Sequence, residues 1–273
     1  MTTGTVLITG ATSGLGRATA VELHRRGWTV LAHGRSEAKL AGIRAPTGGG
    51  VTGLLAGLDS LAGVRSLAGE VLDRVDRLDV LVNNAAVGFG PPGGGREVSA
   101  DGYELRMAVN YLAPVLLTHL LLPLLRAAAP ARLVNVGSIG QIEFDPADID
   151  FTRDYVGVQA YRRSKLALVA HTFGLAEQLR GQGVTVNCVH PASLMDTAMV
   201  RQARIAPMST VDEGLTAVLA LVTDPAAGGV TGQFYSGTRR ASALALAYDP
   251  RFRRDLSEVT ERMLTARAGR ETG

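Results

Sequence analysis

The sequence predicts an α/β fold: a doubly wound parallel sheet of about seven strands with helices on both faces. Three observations lead there. Short runs rich in Val, Ile and Leu alternate with helical stretches along a chain of 273 residues, the pattern of strand–helix units that feed a parallel sheet. A glycine-rich turn, "TGATSGLG" from Thr9 to Gly16, separates the first strand-like run from the first helical one. No repeat and no linker composition divides the chain, so residues 1–273 are expected to form one domain.

Each element has a local reason. "TVLITG" (Thr5 to Gly10) is β-rich and closed by glycine, so it reads as the first strand. Leu15, Ala18, Thr19, Val21 and Leu23 recur at helical spacing and predict a helix to Arg26. "TVLAHG" (Thr29 to Gly34) is a second strand, and Ser36 is placed to cap a short helix through Leu40. After the "APTGGG" loop, a strand is expected near Val51 to Leu58 and a helix across Leu61 to Val75. "LDVLVNNAA" (Leu78 to Ala86) is a buried strand ending in small and polar residues, followed by the loop "GFGPPGGG". A long helical stretch then leads to the strand "RLVNVGS" (Arg132 to Ser138). A helix to about Arg180 carries Tyr161, and "VTVNCVHP" (Val184 to Pro191) is the sixth strand. A helix near Val211 to Val222 and a short strand near Gln233 to Tyr235 complete the expected core.

Composition narrows the function classes. The chain is 46% hydrophobic and 19% charged, which suits a folded core rather than a disordered chain. Net charge is +3 with arginines spread out, and only Arg239 to Arg270 is locally basic. That tail reads as a solvated surface, so no nucleic-acid partner is expected. Cys188 is the lone cysteine, which leaves no intramolecular disulfide or cysteine metal cluster and fits the reducing cytoplasm. The amino end shows no secretory pattern. The greasiest run, Leu112 to Leu125, is shorter than the roughly 20 residues of a membrane span and contains Pro114, His119 and Pro123. It is expected to be a buried or subunit-facing helix.

In a doubly wound sheet, ligands sit at the carboxyl ends of the strands. That directs attention to Gly10, Gly34, Leu58, Asn83, Ser138 and Pro191. The turn containing Gly10, Thr12, Ser13, Gly14, Leu15 and Gly16 offers a tight bend, room for close backbone approach to a pyrophosphate, and a helix amino end facing the anion. Where an NAD site places an acidic residue after the second strand, this chain has Gly34 and Arg35, with Arg17 nearby. Arginine pairs with a 2′-phosphate, so NADP(H) is expected over NAD(H). Asp59 is placed to accept a hydrogen bond from an adenine amino group. Asn84, beside Ala85, holds either the adenosine side or the strand itself.

Four signals occur in order: "TGATSGLG", "NNAA" (Asn83 to Ala86), "GS" at Gly137 and Ser138, and "YRRSK" (Tyr161 to Lys165). Together they make the chain resemble the short-chain dehydrogenase/reductase family, from Thr5 to about Tyr235, with the Rossmann-type fold that implies. The glycine spacing is that of the compact members. The long segment between Ser138 and Tyr161 is similar to the retinol-dehydrogenase-like and protochlorophyllide-reductase-like group.

The resemblance implies a catalytic set of Asn110, Ser138, Tyr161 and Lys165. A carbonyl that accepts a hydride needs a proton, and a phenol near its ordinary pKa of about 10 exchanges poorly at neutrality. An ammonium at i+4 is expected to lower that pKa and to bond the nicotinamide ribose. Ser138 would bond the substrate oxygen, and Asn110 would hold a water in line with Lys165. "NNAA" departs from the commoner Asn-Asn-Ala-Gly. "HPAS" puts Ala192 where glycine is common, and Thr197, assigned to the carboxamide beside Pro191, lies farther along than usual. His33 and His190 lack a ligand set, so no metal is expected.

The expected function is NADPH-dependent carbonyl reduction or alcohol oxidation on a hydrophobic ketone, aldehyde or secondary alcohol, with Tyr161 as general acid/base. Substrate loops are expected at 141–158 and 192–212. Met195, Met199, Ile205 and Met208 in the second form an adaptable apolar lid. The helices holding Leu116 to Leu125 and Leu166 to Leu175 resemble the family's subunit contacts, which implies a homodimer or homotetramer. Two other readings stand beside this one: a dinucleotide-binding regulatory protein without turnover, and a dehydratase or epimerase using the same site.

Overall fold

The computed structural model describes residues 3–265. Seven strands run parallel: β1 (Thr5–Ile8), β2 (Thr29–Gly34), β3 (Val51–Leu55), β4 (Val80–Asn83), β5 (Ala131–Val136), β6 (Val184–His190) and β7 (Phe234–Ser236). An eighth, β8 (Arg239–Ala241), pairs antiparallel with β7 at the edge. The order is β3-β2-β1-β4-β5-β6-β7-β8. The expected count of about seven therefore holds for the parallel strands. The extra strand is a short return that the two-residue turn at Gly237 and Thr238 makes possible, with Gly237 at φ +58°.

Strand alternation builds two cores. Leu7, Leu31, Leu81 and Leu133 face one way and pack on α3 (Leu61–Leu72) and α5 (Ala113–Ala127). Val6, Ile8, Val30, Val82 and Val134 face the other way and pack on α1 (Gly14–Arg25) and α8 (Val211–Thr223). Both faces are covered, which is why the central strands read as continuous apolar runs. The remaining helices are α2 (Glu37–Arg44), α4 (Leu105–Met107), α6 (Gly157–Gln178), α7 (Ala198–Gln202) and α9 (Pro250–Thr265).

Three expectations change. First, α4 passes through a π-helical turn, Ala108–Leu112, into α5, so the helical run is Leu105–Ala127. At 23 residues it is long and apolar enough by composition to cross a membrane, but 78% of its most apolar window is buried inside the fold. Pro114 does not break it, because it follows directly on the π-helical turn, where the regular i to i−4 ladder is already interrupted.

Second, α9 lies beyond the expected core. Phe252, Leu256 and Thr260, spaced four apart, form its buried stripe. Phe252 meets Phe144 edge-on at 5.4 Å, and the Tyr111 hydroxyl is 2.7 Å from that of Thr260. Leu166, Ala170 and Phe173 of α6 are buried in the same cluster.

Third, only part of the stretches that resemble subunit contacts is covered by its own chain: Leu116, Leu121 and Leu125 pack with α3, and Leu166, Ala170 and Phe173 with α9, while His119 and Pro123 are exposed and Leu120 and Leu122 half-buried. Of the basic tail, Arg253 pairs with Glu177 at 3.1 Å, while Arg267 and Arg270 lie outside the described residues.

Candidate active site

Strand order reverses between β1 and β4, and the crevice between their carboxyl ends is where the functional residues gather. Gly10 has φ +65°, and a Cβ on it would come 2.9 Å from the Ala85 Cα. Its N–H donates to His33 Nδ1 at 3.2 Å, and His33 Nε2 lies 3.1 Å from the Ala56 carbonyl. That pairing makes Nε2 the donor and Nδ1 the acceptor, and burial lowers the His33 pKa and keeps the ring neutral. His33 is a brace for the turn. A Cβ on Gly16 would overlap the Gly10 carbonyl and the Asn84 amide, so only glycine lets α1 start so close to the turn. The first turn of α1 holds no acidic residue, and Ser13 leaves its hydroxyl uncommitted as a cap. Positive helix-end character is thus open to an anion.

Asn84 Nδ2 donates to the Thr9 carbonyl at 2.8 Å and the Gly10 carbonyl at 3.2 Å. The Asn84 and Ala85 N–H groups both donate to Thr9 Oγ1, at 2.9 and 3.0 Å. Of the two roles open to Asn84, holding the strand ends is the one its bonds perform.

Asn110 falls in the π-helical turn. Its Oδ1 accepts from the Val87 N–H at 2.7 Å, and its Nδ2 donates to the Val87 carbonyl at 3.0 Å and Ser164 Oγ at 3.1 Å. A mid-helix asparagine is thereby accounted for: it pins the segment after β4 to α6.

Ser138 follows β5. Its Oγ accepts from the Gly140 N–H at 2.9 Å, so its own proton is directed elsewhere. That hydroxyl bonds the Tyr161 side chain, which lowers the phenol pKa, but burial dominates and pushes Tyr161 up to about 12. Lys165, 2% exposed, donates to the Val136 carbonyl at 2.8 Å, and its Nζ lies 5.6 Å from the Tyr161 ring centroid. Burial lowers Lys165 to about 8. The two side chains face one another as expected. The expected downward pull of the ammonium on the phenol is not what sets Tyr161 here, because the lysine is tied to β5 and desolvation outweighs every other influence.

The remaining candidates surround the same crevice. Arg35 and Arg17 are exposed. The Thr12 methyl fills the space beside Gly34 that a Cβ would need. Leu58 is buried and Asp59 exposed, both past the end of β3, which stops at Leu55. Pro191 is buried. Thr197 Cγ2 lies 3.1 Å from where a Gly14 Cβ would stand, so the chain after β6 folds over the glycine turn. The left-handed residue in that stretch is Leu194 (φ 46°), so Ala192 is no obstacle. His190 Nε2 pairs with Ser193 Oγ at 3.1 Å. Among the described residues no group of three or more His, Cys, Asp or Glu is placed to hold a metal.

Against protein families, residues 4–207 match the short chain dehydrogenase model. The chain belongs to the short-chain dehydrogenase/reductase family. Within that family it falls in the retinol-dehydrogenase-like group. Retinol dehydrogenase 14 of Mus musculus is 36% identical over 95% of this chain and 85% of its own length. An uncharacterised Mycobacterium paratuberculosis protein superposes with TM-score 0.79 at 28% identity, covering 96% of this chain and 93% of its own. The Pseudomonas aeruginosa RhlG/NADP complex superposes with TM-score 0.71 at 27% identity, over 85% and 93%.

Some residues of this short-chain dehydrogenase/reductase escaped sequence reasoning. Gln141 Nε2 donates to the Ser138 carbonyl at 2.7 Å, while its Oε1 accepts from the Leu244 N–H at 3.0 Å. The segment before α9 thus reaches Ser138. Arg163 lies 3.7 Å from the Phe151 ring centroid and 3.1 Å from Asp148 Oδ2, anchoring the long segment before α6. No spacing rule marks such pairs; a non-glycine positive φ at Phe151 (45°) is visible only in the fold.

Proposed function

We propose that the protein is an NADPH-dependent carbonyl reductase, running in reverse as an alcohol dehydrogenase, on hydrophobic aldehydes, ketones or secondary alcohols. The observation that carries this reading is the grouping of Ser138, Tyr161 and Lys165 at the strand ends next to the glycine turn. The cradle suits a dinucleotide: Gly10 and Gly16 let the turn, the Ala85 backbone and the start of α1 approach more closely than any Cβ would allow, and the amino end of α1 is open to an anion.

When bound, the cofactor supplies a hydride to the carbonyl carbon. Tyr161 gives its proton to the carbonyl oxygen, so carbonyl, hydride and proton together yield the alcohol. A phenol raised by burial holds that proton through neutrality. Ser138 donates to the same oxygen as charge develops, its direction set by the Gly140 N–H. Lys165, fixed by Val136, orients the nicotinamide ribose. The side chain of Asn110 is committed to Val87 and Ser164, so its part in a water relay runs through its main-chain carbonyl.

Arg35 directly after β2, where an NAD site places an acid, and Arg17 beside the glycine turn support NADP(H) over NAD(H). Leu58, Asp59 and Ala85 hold the adenosine side, Asn84 fixes the strand ends beside them, and Pro191 and Thr197 stand at the nicotinamide. Met199 turns in against Gly88, while Ile205 and Met208 are 38% and 74% exposed, an apolar rim suited to a greasy substrate. Self-association and a cytoplasmic location belong to the same reading.

The test is NADPH consumption with a carbonyl panel, using NADPH deuterated at the transferring position. Label in the alcohol product supports reduction. Binding without turnover, or conversion without net label, overturns it.

A further inference from the structure

Phe89 belongs to none of the motifs above, yet its ring meets Tyr161 edge-on, with centroids 4.7 Å apart and planes at 75°. It lies in "GFGPPGGG", a composition that predicts a loose loop. The loop is instead clamped on every side of Phe89. Val87 is held at both its N–H and its carbonyl by Asn110. The Gly88 carbonyl accepts from Arg106 Nε at 3.0 Å, and a Cβ on Gly88 would overlap Met199 of α7. The Phe89 carbonyl presses on Gly157, at the start of α6, where a Cβ would overlap it. Gly90 turns at φ +77° against the Arg106 guanidinium.

Arg106 is itself fixed. It is 2% exposed and donates to Glu97 at 2.7 Å, to Glu104 at 3.3 Å and to the Tyr155 hydroxyl at 2.8 Å. Tyr155 in turn donates to Glu104, which is 1% exposed, at 2.9 Å. Moving the backbone that carries Phe89 would break the bond from the buried Arg106 guanidinium to the Gly88 carbonyl. The ring is thus held beside the phenol by the fixed backbone of its loop.

We propose that Phe89 is a specificity-determining residue that limits the size of one substituent on the substrate carbonyl, and that the Arg106–Glu104–Glu97–Tyr155 cluster is its positioning device. This rests on Tyr161 being the proton donor. A carbonyl oxygen within hydrogen-bond reach of that phenol, about 2.7 Å, brings the carbonyl carbon and its two substituents alongside the ring. A hydrogen fits against the Phe89 edge; a methyl group fits with small shifts; a branched group forces the ring off its rotamer. The favoured class is an aldehyde or an unsymmetrical ketone with one small side and one long apolar side.

The experiment measures kcat/KM with NADPH for an n-alkyl aldehyde, the matching methyl ketone and the matching isopropyl ketone. Phe89→Ala is expected to raise the isopropyl-ketone-to-aldehyde ratio by about tenfold or more, and Phe89→Leu by less. Tyr155→Phe keeps the ring but loses both hydroxyl bonds. It is expected to shift the ratio in the same direction while leaving the KM for NADPH in place, which general loosening of the fold would not do. An unchanged ratio in an active Phe89→Ala protein overturns the role of Phe89 and leaves the reductase reading standing. Absence of turnover by the unmodified protein on every carbonyl overturns both.

Discussion

The Lys165 ammonium stands 5.6 Å from the centre of the Tyr161 ring, yet it spends a 2.8 Å hydrogen bond on the Val136 carbonyl. The lysine is thus held by the sheet, two residues before Ser138, and the tyrosine by the helix. Both residues stand on α6, one turn apart, and the Val136 bond fixes the lysine end against β5, so the β5–α6 contact sets how the pair faces Ser138.

Tyr161→Phe removes the only atom proposed to give up a proton. Turnover should fall by about 10²- to 10⁴-fold, with NADPH affinity by fluorescence titration little changed. Ordinary turnover in this variant would refute the role.

Ser138→Ala should displace a pH profile. The serine hydroxyl lowers the Tyr161 pKa against the larger upward push of burial. Alcohol oxidation needs the phenolate, so its rate rises with pH; without the serine bond, the rising limb should move to higher pH. A limb that stays in place, or moves down, contradicts the bond.

Arg35→Ala should weaken NADPH binding by at least about tenfold, the size of one lost charge-assisted contact, and leave NADH nearly unaffected. Dissociation constants for both nucleotides decide it; an unaltered preference removes Arg35 from the site.

Gly16→Ala should cost about 1–3 kcal/mol of stability and abolish dinucleotide binding, because the new methyl overlaps the Gly10 carbonyl and the Asn84 amide. Denaturant unfolding reports the first effect and nucleotide titration the second. A variant as stable and as tightly binding as the parent would show that the close approach is not required.

Lys165→Met should change how the cofactor-free protein responds to alkali. Burial lowers the lysine from 10.5 to about 8, so between these values the unfolded chain binds more protons than the folded one. Stability contributed at this site then rises with pH across that window. The parent should gain on the variant in denaturant midpoint from about pH 8 upward; a constant gap would mean the lysine stays charged when folded.

The order of elements, the glycine turn and the Tyr161–Lys165 spacing are legible in the sequence because each is a relationship among neighbours. Strand alternation, a turn that demands positive φ and side chains one helical turn apart need only local geometry. Asn110 gave a partial signal, since an asparagine inside a helix asks for partners. Nothing local announced that α9 would cover α6, that Lys165 would bond Val136, or that Phe89 would stand against Tyr161. Those contacts join residues far apart in the chain, and they are chosen by how helices and loops fill space over the sheet. The fate of Tyr161 shows the division most clearly: its chemistry is written in a five-residue motif, but its pKa is set by burial, which is a property of the whole packed molecule.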